Sequence, residues 1–241
     1  MTRLQQLENI RRDFVANVSH ELKTPITSIK GSVETLIQGA LKDTNAAKQF
    51  LEITSRQADR LNSIIEDLLT LSRLEQGHSG EEGAGPIEFN EYPLHELVHE
   101  TIKESDVSAK EKNISINEDC QKNIRARINP ALMIQALSNL LGNAVKYSEP
   151  DTIVNVKVEE VEQELKISFT DQGHGISSQH LERLFERFYR VDTARSRKMG
   201  GTGLGLSIVK HIAQVHGGQV TVESKLGQGS TFIIHLPRLL T

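Results

Sequence analysis

The chain has no tryptophan, three tyrosines and one cysteine in 241 residues. A lone thiol, Cys120, excludes an internal disulfide framework and fits a reducing compartment; we read it as a buried or surface thiol and not as a nucleophile. Aromatics make up only 4% of the chain while hydrophobic residues reach 37%, so a packed core must rest on Leu, Ile and Val. No run approaches the roughly 18 apolar residues of a membrane span. The N-terminal MTRLQQLENIRRDF lacks the apolar stretch of a secretory signal. The expectation is a soluble, cytoplasmic chain, compatible with its being the cytosolic part of a longer membrane protein. A surplus of positive charge is also missing: the net charge is −4, which argues against general nucleic-acid binding. The length allows one large domain or two modest ones.

What is present divides at GHSGEEGAGP, residues 77–86, with four Gly, one Pro and almost nothing apolar,. Before it, the pattern predicts two long helices. Over residues 4–37, Leu4, Leu7, Phe14, Val18, Leu22, Ile26, Ile29, Val33 and Leu36 fall on one arc at about 100° per residue. Gly39 and KDTN make a turn. A second helix over 44–76 carries Ala47, Leu51, Ala58, Leu61, Ile65, Leu68 and Leu69 on one arc. Such a hairpin cannot bury both stripes alone. A second copy, giving a dimeric four-helix bundle, is the simplest partner; packing against the second half of the same chain is the alternative. After the linker, NISIN, NIRARI, TIVNVKVEEV, LKISFTD, QVTVES and STFIIHL read as strands. Helices are predicted at about 93–111, 130–147, 178–188 and 204–216. This half is expected to be an α+β two-layer sandwich, a mostly antiparallel or mixed sheet with helices on one face.

Within the first helix, SHELKT sets a His before a Glu as a zinc-protease helix does. The second His of that motif is replaced by Thr24, and Ala16 stands one turn upstream. A hydroxyl is a poor zinc ligand, so the zinc reading falls. His20 lies opposite the apolar stripe, with Thr24, Thr27 and Gly31 following at one-turn steps, on a surface open to a docking protein or active site. Pro25 sits inside the helix pattern at a cost of about 3 kcal/mol. It removes the donor for the carbonyl of residue 21 and reads either as mobility beside His20 or as a tolerated kink. An exposed neutral imidazole is a nucleophile near pH 7, and Glu21 can orient the ring or take its proton. An exposed His beside a Glu is common, so the second half decides.

Three pieces there point to a nucleotide. In NLLGNAVKYS, residues 139–148, Asn139, Asn143 and Lys146 share the arc opposite Leu137, Leu140, Leu141 and Ala144. The Asn143 amide oxygen can ligate Mg2+ and Lys146 can meet a phosphate; a solvated helix face is the plain alternative. DQGHGI, residues 171–176, follows a strand. Asp171 can accept from an exocyclic amine such as that of adenine, while Gly173 and Gly175 remove bulk; a simple turn explains the piece equally well. GGTGLGLSIVKHIAQVHGG runs a Gly-rich loop into an amphipathic helix, an arrangement that binds phosphates through N–H groups and the helix dipole. It matches neither common phosphate loop. Between the last two, Arg187, Arg190, Arg195, Arg197 and Lys198 read as a mobile basic lid over a polyphosphate, or as a solvated loop.

Taken together, these segments resemble the catalytic core of two-component sensor histidine kinases over nearly all of residues 10–238. FVANVSHELKTPITSI resembles the H box, NLLGNAVKYS the N box, DQGHGI the G1 box, LFERFYR the F box and GGTGLGLSIV the G2 box. Five boxes in the family's order and spacing are specific. The boxes look most like those of the phosphate-regulon-sensor-like group. The resemblance implies a helical-hairpin domain over 1–76 that forms a homodimer, and a Bergerat-type ATP-binding domain over 87–241. It implies His20 as phosphoacceptor, reacting through Nε2, with Glu21 as base and Asn143 holding Mg2+. Asn139, Lys146, Tyr147 and Arg190 would line ATP, Asp171 would read adenine beside Gly173, Gly175 and Ile176, and Gly201, Thr202, Gly203, Leu204, Gly205 and Leu206 would form the lid hinge. An aspartate of a response-regulator receiver domain would then take the phosphoryl group. Thr24 would position water for the reverse, phosphatase reaction. No sensor segment is visible, so a longer, membrane-anchored parent protein is expected.

Overall fold

The computed structural model describes residues 3–79, 87–192 and 201–238. Helices α1 (Arg3–Ile37) and α2 (Thr44–Ser79) form an antiparallel hairpin joined by a short 3-10 turn, Ala40–Lys42. The turn is tightened by Gly39 at φ 142°, a backbone angle open to glycine,. Asp43 closes the start of α2 by accepting the N–H groups of Asn45 at 2.9 Å and Ala46 at 3.2 Å,. α2 ends at Ser79, so the first three residues of the expected linker are helical; residues 80–86 lie outside the described set. α1 runs unbroken through Pro25, which is buried.

The second half begins with β1 (Asn90–Pro93) and α3 (Leu94–Glu111), then β2 (Ser115–Cys120), β3 (Arg125–Ile128) and α4 (Pro130–Tyr147). It continues through β4 (Ile153–Val161), β5 (Glu164–Thr170), α5 (Ser178–Leu181), α6 (Gly205–Val215), β6 (Gln219–Ser224) and β7 (Ser230–Pro237). Five strands form a mixed sheet in the order β2-β4-β5-β7-β6, with only the β2–β4 pair parallel. Strict alternation buries Val154, Val156 and Val158 of β4, Leu165, Ile167 and Phe169 of β5, and Phe232, Ile234 and Leu236 of β7 on one face,. Helices α3, α4 and α6 belong to the same core, giving the two-layer sandwich. NIRARI is a strand, but it pairs with β1 outside the main sheet. β1 itself, four residues ending in Pro, is too short to show a period. The helix expected over 178–188 is confined to Ser178–Leu181; turns follow, and Phe188 adopts φ 62°, which a helix cannot contain,.

The stripes of the hairpin are used differently from the expectation. Among the described side chains of α1, Glu21, Pro25, Ser32 and Leu36 are buried, while Ile26 and Val33 are exposed; Leu4 and Leu7 of the predicted arc lie outside the described side chains. On α2, Leu51, Ile65 and Leu69 of the predicted arc are exposed, and Ile64, Leu71 and Leu74 are buried instead. Leu71 and Leu74 join the sandwich core. The end of α2 thus packs on the second half of the chain, and the apolar arc through Leu51, Ile65 and Leu69 is left open.

Candidate functional site

His20 projects from α1 with 62% of its side chain exposed, and Thr24, Thr27 and Gly31 are exposed on the same face. The Thr24 hydroxyl donates to the His20 carbonyl at 3.1 Å, a bond within one helical turn that leaves the oxygen lone pairs facing solvent. Glu21, one position on, turns inward and is 7% exposed. Its Oε1 lies 3.9 Å from His20 Nδ1, near but beyond hydrogen-bond length,. Its Oε2 accepts from Arg60 Nη2 at 3.0 Å and from Arg190 Nη2 at 2.8 Å. A buried carboxylate needs such partners; here one comes from α2 and one from the sandwich.

In the sandwich, α4 carries the first cluster. Asn129 caps it by accepting the Leu132 N–H at 3.0 Å, and Pro130 occupies the first helical turn,. Met133, Ala136, Leu137, Leu140, Leu141 and Ala144 face the core at helical spacing, which turns Asn139, Asn143 and Lys146 to the other side, where all three are half-buried. Lys112 crosses to the end of this helix and donates to the carbonyls of Lys146 at 2.7 Å, Val145 at 3.0 Å and Ser148 at 3.2 Å,. Burial, and then the neighbouring cations Arg190, Arg60 and Lys112, push Lys146 down to about 8,.

Asp171 follows β5 directly and is buried. Both of its hydrogen bonds fall on Oδ1, from the N–H groups of Gly173 at 2.8 Å and Ser230 at 3.2 Å. Burial raises its pKa, and the two backbone donors oppose that. The glycine spacing has a steric cause. A Cβ on Gly173 would lie 2.3 Å from the Tyr147 carbonyl oxygen, and one on Gly175 would lie 2.0 Å from that of Lys225. Gly173 also bridges Ser148, so the G1 segment is pinned to the end of α4. The Ile176 N–H is taken by the Ser224 hydroxyl at 2.8 Å.

The Gly-rich segment reaches α4 at Gly205, where an added Cβ would lie 2.9 Å from Asn139 Oδ1. Leu204 is buried and Leu206 half-buried. Thr202 Oγ1 accepts the Leu204 N–H at 3.1 Å and donates to Asp67 Oδ2 on α2 at 2.8 Å. Arg190, with 4% of its side chain exposed, also donates to the Thr202 carbonyl at 2.7 Å. Gly203 at φ 79° receives the Phe188 N–H at 2.8 Å, and a Cβ there would meet Phe188 Cα at 2.9 Å. Phe188 lies 6.0 Å from the Phe14 ring of α1. Arg187 and His211 both approach Glu75 of α2, His211 at 3.7 Å. Gly201 is half-buried; Arg195, Arg197 and Lys198 of the expected lid lie outside the described residues.

The sequence-predicted residues thus form three connected groups: Asn139, Asn143, Lys146 and Tyr147 on α4; Asp171, Gly173, Gly175 and Ile176 against its end; and Gly201, Thr202, Gly203, Leu204, Gly205 and Leu206 with Arg190. His20 and Glu21 meet the last group through Arg190. Sequence reasoning missed Arg60, Asp67 and Lys112, which enter only through tertiary contacts. Among the described residues, no group of three or more His, Cys, Asp or Glu side chains is arranged to hold a metal ion.

Comparison with known proteins assigns both halves. Residues 10–77 match the His Kinase A (phospho-acceptor) domain, and residues 128–240 match the Histidine kinase-, DNA gyrase B-, and HSP90-like ATPase family. The chain belongs to the two-component sensor histidine kinases. The sensor protein kinase WalK of Staphylococcus aureus is 40% identical over 239 residues, covering 98% of this chain and 56% of that protein. WalK of the Newman strain matches equally, with 38% of its length covered; the chain spans about half the length of these curated relatives, or less. Among solved structures, histidine kinase ThkA in complex with response regulator protein TrrA shares the fold at TM-score 0.77 and 23% identity, covering 98% of this chain and 64% of that one. Full-length ShkA in complex with AMPPNP gives TM-score 0.65 at 26% identity, covering 93% of this chain and 45% of that one. No described helix of the chain is long and apolar enough to cross a membrane.

Proposed function

We propose that this chain is the catalytic core of an ATP-dependent protein-histidine kinase that phosphorylates its own His20 and passes the phosphoryl group to an aspartate of a response regulator. The observation that carries the reading is the meeting at Glu21. One carboxylate oxygen faces His20 Nδ1 at 3.9 Å, and the other holds Arg190 of the sandwich. Phosphoacceptor and nucleotide residues are therefore within reach of one another.

The residues present fit an adenine nucleotide. Asp171 is fixed through Oδ1 by two backbone donors, which leaves Oδ2 to accept an exocyclic amine. Gly173 and Gly175 let this segment lie close against the Tyr147 and Lys225 carbonyls, which fixes it beside Asp171. Lys146, Arg190 and the backbone before α6 offer positive charge and N–H donors to phosphates. The Asn143 amide oxygen suits magnesium, which would neutralise phosphate charge when bound. In the transfer, the lone pair of His20 Nε2 forms the bond to the γ-phosphorus, the bond from that phosphorus to the β,γ-bridging oxygen breaks, and ADP carries the electron pair away. Glu21 accepts the Nδ1 proton. ShkA, of the same fold, was captured with AMPPNP, and ThkA, whose likeness is one of fold, was captured with a response regulator; both support the reading.

The exposed apolar residues Ile26, Val33, Leu51, Ile65 and Leu69 support a second copy as the partner of the hairpin. Domain limits of 1–76 and 87–241, a membrane anchor in a longer parent protein, cytoplasmic placement and a phosphate-regulon-sensor-like subgroup belong to the same proposal. Exposed Thr24, one turn from His20, supports a phosphatase role toward the regulator. The test is incubation with γ-labelled ATP and magnesium. Acid-labile, alkali-stable label is expected, reduced by about 1,000-fold or more in His20→Gln. Undiminished label in that variant sinks the proposal.

A further inference from the structure

Two groups given above to the nucleotide are already engaged by carboxylates of the hairpin. Arg190 Nη2 has two hydrogens; one goes to Glu21 Oε2 and the other to the Thr202 carbonyl, at 2.8 and 2.7 Å. The Thr202 hydroxyl has a single hydrogen, and it goes to Asp67 Oδ2 at 2.8 Å. Neither atom can donate to a phosphate oxygen while these bonds stand. Further along α2, Glu75 takes Arg187 and His211. Asp67 and Glu75 are eight residues apart, about 12 Å along a helix, so the acidic contacts extend over one side of the hairpin.

The contact is also incompletely satisfied. The Nε atoms of Arg190 and Arg60 are buried without a hydrogen-bond partner. The described hydrogen bond of the Asp67 carboxylate comes from a neutral hydroxyl, a weak return for a desolvated charge, and burial raises its pKa. Phe188 holds a left-handed φ of 62° where it meets Phe14, a strained backbone for an aromatic residue. Such an interface is one that a better-matched anion can displace.

We infer that Glu21 and Asp67 act as an internal anion, occupying the phosphate-binding groups Arg190 and Thr202, so that docking of the hairpin and binding of the nucleotide oppose one another. Asp67 is thereby a determinant of nucleotide affinity. A nucleoside triphosphate that draws Arg190 away leaves Glu21 with one guanidinium fewer, and its carboxylate becomes more available to the His20 proton. By linkage, docking of the hairpin weakens nucleotide binding by the same factor as the nucleotide weakens docking, so loosening the docked hairpin tightens nucleotide binding. This inference rests on the nucleotide reading proposed above.

The experiment measures binding of ADP with magnesium to the full chain by calorimetry, for the parent protein, Asp67→Asn and Glu75→Gln. Asp67→Asn keeps the shape and removes the charge. Glu75→Gln loosens the same interface without touching Arg190 or Thr202. Both are expected to bind ADP about 3- to 10-fold more tightly than the parent, and ADP is expected to speed amide exchange over residues 64–75 of the parent. Parent protein that binds ADP while both variants bind it equally or more weakly, with exchange over 64–75 unchanged, overturns the internal-anion inference and leaves the nucleotide reading intact. Parent and variants that all fail to bind overturn the nucleotide reading and the inference with it.

Discussion

The two halves of the chain handle their apolar residues in opposite ways. The sandwich closes on itself: its sheet face and helices α3, α4 and α6 bury a continuous cluster of Leu, Ile, Val and Phe. The hairpin does not. Eight of the thirteen exposed large hydrophobic side chains among the described residues lie on it, including Ile26, Val33, Leu51, Ile65 and Leu69. Two of the buried positions on α2, Leu71 and Leu74, are buried by the sandwich. The chemistry is divided in the reverse sense. The sandwich keeps Asp171 and Lys146 sheltered, and the hairpin holds His20 in the open. The acceptor role proposed for His20, meeting both a nucleotide and a second protein, requires it to stand exposed on an element that can change its contacts. A donor site that must hold a nucleotide in one pose needs a rigid floor.

Four probes test this contrast, in decreasing order of expected effect. Gly173→Ala strikes the rigid side. Its Cβ has 2.3 Å to the Tyr147 carbonyl oxygen, so β5 and α4 must part, at a cost of about 2–4 kcal/mol. Chemical denaturation should show that loss together with loss of nucleotide binding. Next, Leu71→Ala and Leu69→Ala separate the two surfaces of α2. Leu71 is 2% exposed and Leu69 is 52% exposed. The first should cost about 2–3 kcal/mol of stability and the second under about 0.5 kcal/mol within the chain. Leu69→Ala should instead weaken self-association in sedimentation, and equal destabilisation by the two would erase the distinction.

The third probe is pH. Lys146 is held down to about 8 by burial and by neighbouring cations. Below that value it is charged and can meet a phosphate; as pH rises through it, the cation is lost and nucleotide affinity should fall several-fold. Lys146→Arg keeps its charge and should flatten the fall between about pH 7 and 9. The sign for folding is opposite. The unfolded lysine stays protonated to about 10.4, so from about 8 upward the unfolded state binds more protons, and this group stabilises the fold as pH rises. The smallest effect on the kinase reaction is expected from Thr24→Ala. Among the described residues its hydroxyl bonds only its own helix, to the His20 carbonyl, so autophosphorylation should hold within about 2-fold while the proposed dephosphorylation of the regulator slows by about 10-fold. Paired assays that lose both equally would count against a water-positioning role.

Much of this was legible in the residues because local physics sets it. Alternation in TIVNVKVEEV and LKISFTD wrote β4 and β5, the period of residues 130–147 wrote α4, and His20 lay opposite the apolar arc and is exposed. The glycines of DQGHGI signal missing bulk, read as room for a base or as a turn; the structure sets the Tyr147 and Lys225 carbonyls where a Cβ would stand. Other features depend on partners distant in sequence. β1 is four residues long, too short for a period. The run after Ser178 has helical spacing, yet Phe188 turns left-handed to bond Gly203. The inward turn of Glu21, between Arg60 and Arg190, joins positions 39 and 169 residues away. No periodicity within α1 could reveal it, because it comes from docking between the halves.

The most direct measurement is phosphosite mapping at alkaline pH after incubation with magnesium and ATP. A phosphoryl group on the peptide spanning Ser19 to Thr24, assigned to His20 and absent from His20→Gln, is the predicted result. A phosphoryl group on Ser19 or Thr24 instead, or none on this helix while the protein binds ATP, would contradict the account.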